Sequence, residues 1–131
     1  MFVNVMNQEE KENFLELVYR IATCDGVYAE EEKELVTNYK LELNLKDIPD
    51  TKTVSELLNY FSEKSSALRK IVFFELYGMV MADGEIEKNE KEIMDELKTK
   101  FALDEKAYAD MIMAADMLKD AYDRVYSAVF E

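Results

Sequence analysis

The chain has 131 residues, 49% hydrophobic and 34% charged, with only 3 Gly and 1 Pro. That length suits one domain with a real core, and so few turn residues argue against the many reversals of a β-sandwich or barrel, leaving an all-α fold. Lys and Arg number 16 against 29 Asp and Glu, a net charge of −13 with no His: this field repels nucleic-acid phosphates and anionic membranes, attracts divalent cations and basic protein surfaces, and the missing His removes Ser-His-Asp and Cys-His nucleophiles.

In chain order, Met1 to Met6 lacks the charged start and long apolar run of a signal peptide. Asn7, with Glu10 three positions on, is a helix start, and Phe14, Leu17, Val18 and Ile21 recur at steps of three and four as one buried stripe. After Asp25-Gly26, a charged helix carries a second stripe of Leu35, Val36, Tyr39 and Leu43. Pro49 makes Asp47 to Asp50 a loop, and Thr53 with Glu56 is a capping-box pattern opening a helix that buries Val54, Leu57, Leu58 and Phe61. The next helix, rich in apolar residues from Ile71 to Val80, is expected in the middle of the fold. Its apolar run, Ile71 to Ala82, contains Glu75 and falls far short of the roughly 20 residues a membrane span needs, so a cytoplasmic protein without a transmembrane segment is expected. After Asp83-Gly84 comes a helix presenting Ile93, Met94, Leu97 and Phe101, then one capped by Asp104 with Tyr108, Met111 and Ile112 inward. A last amphipathic segment offers Leu118, Tyr122, Val125 and Val129, either continuing its predecessor or turning near Ala115-Asp116. Six or seven helices in a compact bundle result.

An internal repeat organises these elements. Asp25-Gly26 recurs 58 residues on as Asp83-Gly84, and Glu32-Lys33-Glu34-Leu35 becomes Glu90-Lys91-Glu92-Ile93. Leu35, Val36, Tyr39 and Leu43 map onto Ile93, Met94, Leu97 and Phe101, and Val18, Tyr19 and Ile21 onto Leu76, Tyr77 and Met79. Agreement in core, charge and glycine positions points to one domain over residues 1–131 with duplicated units at about 8–61 and 66–131.

The Asp-Gly turns have two readings. In the structural one, Gly supplies a left-handed helix end, and Glu32 and Glu90 sit where the next helix dipole favours a carboxylate. In the chemical one, each tight hairpin brings its Asp and Glu together, so that Asp25, Glu32, Asp83 and Glu90 are carboxylate ligands for Ca²⁺ or Mg²⁺. With one Cys and no His, Zn²⁺ is a poor candidate. An EF-hand is rejected: counted from Asp83, Lys88 stands where Gly is required and Met94 where Glu is required.

At these residues the chain resembles the TerB-like tellurite-resistance family. The pattern of a helix ending in Asp-Gly, an apolar residue two positions after the Gly, and a following Glu reads here Ala22-Thr23-Cys24-Asp25-Gly26-Val27-Tyr28 with Glu32, and Met81-Ala82-Asp83-Gly84-Glu85-Ile86 with Glu90. The resemblance implies an all-helical domain built by internal duplication, metal binding at the acidic turns, and a place in the response to tellurite and other chemical or phage stress. It further implies membrane-linked complexes, as for the related module of a membrane-attached DnaJ-like protein. One departure stands out: Ala29 and Glu87 occupy the positions of a Ser or Thr N-cap, leaving Glu32 and Glu90 without a regular capping partner.

Cys24 can form no internal disulfide and, beside Asp25, has its thiolate disfavoured, so it reads as core packing. Most of the 8 Met read as core filler, with Met113 and Met117 the surface exceptions, and Tyr19 and Tyr77 as packed residues with hydroxyls at the core edge. The acids read as lying on exposed helix starts, away from the apolar cleft that carboxylate catalysis needs, so no enzyme is expected. Two functions are expected to compete: a cation-binding module in a stress-response assembly, and a metal-independent module whose acidic face docks a basic protein surface.

Overall fold

The computed structural model describes residues 2–81 and 86–131. The second turn, Asp83-Gly84, lies outside the described residues. Every regular element among the described residues is helical: a 3-10 turn at Val3–Val5, then α1 (Gln8–Ala22), α2 (Glu30–Glu42), α3 (Val54–Ser62), α4 (Ser66–Val80), α5 (Lys88–Lys100) and α6 (Glu105–Phe130). None of these helices is long and apolar enough to cross a membrane.

The expected starts are present and have a local cause. Asn7 and Glu10 form a reciprocal capping box on α1, as do Thr53 and Glu56 on α3. Asp104 accepts the Ala107 N–H to cap α6. Two helix ends were not legible as such. Asn44 and Ala102 follow α2 and α5 with φ of 56° and 50°, left-handed geometry that usually selects Gly. The N–H of Leu45 reaches back to Lys40 O at 3.0 Å, and that of Leu103 to Lys98 O at 3.4 Å. These paired bonds satisfy carbonyls that a helix end otherwise leaves open.

The helix bounds keep the spacing of the sequence repeat. Both α1 and α4 have 15 residues, both α2 and α5 have 13, and each later helix begins and ends 58 positions after its counterpart. The left-handed residues Asn44 and Ala102 share that spacing.

Packing follows the predicted stripes. Phe14, Leu17, Val18 and Ile21 of α1 are buried with Val36, Leu57, Leu58, Phe61, Leu97 and Phe101. Helix α1 packs on α2 and α3, while α4 packs on α3, α5 and α6. Helix α4 is covered on most of its circumference, although Gly78 is exposed and Ile71 and Phe74 are half-buried. The α1 stripe is wider than its apolar spacing implied, because Asn13 and Glu16 are buried as well. Glu16 is enclosed for a reason: its Oε2 accepts the N–H groups of Thr51 and Lys52, both at 2.6 Å. Arg20 bridges Asp50 and donates to Lys52 O at 2.9 Å, so the Pro49 loop is fastened to α1 by charge-assisted bonds.

The end of the chain resolves the alternative left open above. Helix α6 runs unbroken through Ala115 and Asp116 for 26 residues. Its first half packs on α4, with Tyr108 against Phe73 at a ring separation of 5.3 Å. In its second half Tyr122, Val125 and Val129 are exposed, so the apolar face of this amphipathic segment is left uncovered among the described residues.

Candidate acidic cleft

The described part of the first turn has the geometry of its structural reading. Gly26 takes φ of 81°, where a side chain is strained, and its N–H donates to Thr23 O at 3.0 Å. The Asp25 carboxylate accepts the Val27 N–H at 2.9 Å, closing the turn through its own side chain. Seven residues on, Glu32 is in the first turn of α2, and Glu90 occupies the same position in α5.

The two acidic regions face each other. Asp25, Glu31 and Glu32 from the first and Glu87 and Glu90 from the second line one cleft of about 200 Å³, floored by Ile21, Leu35, Met79 and Val80. Asn89 on α5 reaches across to the Cys24 carbonyl at 3.5 Å. Asp83, the fourth predicted ligand, lies outside the described residues. Among the described residues, no three Asp, Glu or Cys side chains converge as a metal-holding group.

Glu32 is the least settled member. Its Oε2 is buried and takes no hydrogen bond among the described residues. Burial raises its pKa above the ordinary glutamate value, and the charges of Asp25, Glu87 and Glu90 add to the rise; the Ala29 backbone N–H pulls partly the other way. Glu32 is thus half-buried in a cleft with an apolar floor and does not lie on an open helix start as expected. Glu90 differs from its expectation too. It accepts the Glu87 N–H at 3.1 Å, so the glutamate closes half of a capping box even though Glu87 replaces Ser or Thr.

Cys24 was expected in the core, but it is half-buried and lines the cleft. Burial pushes its thiol up to about 11, with Glu90, Asp25 and Glu87 contributing in that order. The thiol is therefore protonated and unreactive at neutral pH. Glu31 and Glu87 are the cleft residues that the motif spacing did not single out; their signal was the run of acids flanking each turn. Tyr77 donates to Asp116 at 3.4 Å and Tyr19 packs edge-on to Tyr28 with ring centroids 5.6 Å apart, in keeping with packed tyrosines at the core edge. Met113 and Met117 are exposed.

Compared with known proteins, the chain matches no family model, no curated protein and no solved structure.

Proposed function

We propose that the protein is a duplicated helical module whose two acidic turns share one site for a divalent cation. The observation carrying this is Glu32: a half-buried carboxylate with one oxygen unpartnered among the described residues, facing carboxylates from both halves of the chain. Such an arrangement is electrostatically costly when empty, and a hard cation relieves it. The donor set is all oxygen, which fits Ca²⁺ or Mg²⁺ and disfavours softer metals. Asp25, Glu32 and Glu90 would hold the ion, with Asp83 as the remaining proposed ligand and Glu87 beside them. The ion would supply charge neutralisation and tie α2 to α5. Matched helix bounds and matched left-handed ends support the duplication.

The second reading is a metal-independent docking site for a basic protein surface. It is favoured by the lack of three converging ligands among the described residues and by the net charge of −13. A lysine or arginine side chain entering the cleft would meet the same carboxylates. A role in tellurite or chemical stress, in a membrane-linked complex, rests on the TerB-like resemblance alone.

Calorimetric titration with Ca²⁺ and with Mg²⁺ tests the first reading. Saturable binding at one ion per chain, weakened at least about tenfold by Glu32→Gln, is expected. Absence of saturable binding with either ion transfers the cleft to the docking reading.

A further inference from the structure

Beyond the cleft, helix α6 carries an apolar stripe that continues past the folded core. Tyr108, Met111, Ala115, Leu118, Tyr122, Val125 and Val129 follow alternating steps of three and four, the a and d positions of a continuous heptad pattern. The first three are packed against the core, and the last three are at least 60% exposed. One seam therefore begins as intramolecular packing and runs on into solvent. Tyr126 and Phe130 extend the free part and touch each other, with ring centroids 4.9 Å apart.

Charge tells what fits this seam. The flanking g positions are Ala107, Ala114, Ala121 and Ala128, and the e positions Ile112, Lys119 and Tyr126. Across a, d, e and g from 107 to 129 there is no Asp or Glu, although acids outnumber bases 29 to 16 in the chain. Glu105 precedes this stretch, and Asp110, Asp116, Asp120 and Asp123 occupy b, c and f positions, with Asp116 and Asp123 bordering the groove beside the seam. At the seam positions themselves a basic partner would find no acid to pair with. Two copies of a chain of charge −13 repel one another over most of their surface, and the acid-free seam is where they meet at least cost.

We propose that a second copy of this chain covers the free half of α6, with the two helices antiparallel. An antiparallel pair sets a against d. Tyr122 then faces Val125 of the second copy, Leu118 faces its Val129, and Lys119 lies over its Tyr126 ring. The alanines at 121 and 128 flank the other side and permit close approach. In the same register the second copy's Phe130 reaches a groove of about 400 Å³ that includes Phe74, Met81, Ala115 and Leu118. Three aromatic rings and two valines, each 60–71% exposed, present on the order of 600 Å². Buried against its copy, this removes about 1,200 Å², the lower bound for a specific protein interface.

Sedimentation equilibrium of the full chain across protein concentration and salt tests the pairing. The expected result is a doubling of the 15.3 kDa mass at micromolar concentration, with association strengthened by salt because screening relieves repulsion. Val125→Asp places a carboxylate in the seam and should weaken pairing about a hundredfold or more. Asp120→Ala, on the opposite side, should leave it intact. Both residues are exposed, so helix content and cooperative melting report that each variant folds. Register is read in a Cys24→Ala background: mixed Tyr122→Cys and Val125→Cys chains should cross-link to each other more readily than Val125→Cys chains do to themselves. A monomer at all concentrations and salts overturns the proposal. So does a dimer indifferent to Val125→Asp, preferential Val125→Cys self-linking, or a monomer that instead partitions onto phosphatidylcholine vesicles.

Discussion

Glu32 of α2 and Glu90 of α5 occupy equivalent first-turn positions 58 residues apart, and both line the same cleft. Each glutamate reaches back toward its helix start, Glu90 to the Glu87 N–H and Glu32 to that of Ala29. Both are half-buried, and one Glu32 oxygen is enclosed without a donor among the described residues. That residual demand, shared across the two halves of the chain, makes the cleft a candidate for a cation.

The raised pKa of Glu32 has a signed consequence. The folded form holds the proton more readily than the unfolded chain, whose glutamates titrate near about 4.3. Its contribution is fully present below that value and is lost as pH rises through the folded pKa. Glu32→Gln removes the charge, so its stability relative to wild type should grow as pH rises above about 4.3 and then level off. Melting temperatures of both proteins across this range, in chelator, check it; a difference independent of pH would contradict it.

Cys24 reports on the same field. With its thiol raised to about 11, alkylation by iodoacetamide at pH 8 should run roughly a hundredfold below that of an unperturbed thiol. Glu90→Gln should speed it by removing the largest charge contribution. A bound divalent cation should speed it further, because a nearby positive charge favours the thiolate. Equal rates in wild type and Glu90→Gln would mean that burial alone sets the reactivity.

Much of the fold was legible because local chemistry and tertiary packing agree. Asn7, Thr53 and Asp104 announce helix starts by capping, and the stripe through Phe14 and Ile21 is buried as its spacing requires. The features that were not legible depend on partners distant in sequence or on geometry that the residue type conceals. Ala102 carries no mark of a left-handed helix end, since Gly would be usual there. Glu16 looks like any surface glutamate until the Thr51 and Lys52 amides fold over it. Tyr122, Val125 and Val129 read as the apolar face of an amphipathic segment, and such a stripe does not reveal what covers it. For the cleft, spacing found Asp25, Glu32 and Glu90, while the opposition of the two regions appears only once the first turns of α2 and α5 line one cleft with residues from the ends of α1 and α4.

Glu16 anchors the Pro49 loop, and its removal should be costly. Glu16→Ala leaves two part-buried N–H groups without their acceptor and removes a buried carboxylate's charge-assisted bonds, and should cost about 3 kcal/mol in urea unfolding. Glu16→Gln keeps an acceptor oxygen and should cost about 1 kcal/mol. Similar losses for both would show that charge, rather than the acceptor geometry, holds the loop.

The central claim is most directly tested by thermal melts of the chelated protein, repeated with Ca²⁺, Mg²⁺ and Mn²⁺ at matched ionic strength. An ion that binds only the folded state should stabilise by about 3 kcal/mol at one hundred times its dissociation constant. The account predicts such a rise for Ca²⁺ or Mg²⁺, strongly reduced in Asp25→Asn and Glu32→Gln. An equal small rise with every ion, unchanged in those variants, would reflect only screening of the −13 charge and would contradict a shared cation site.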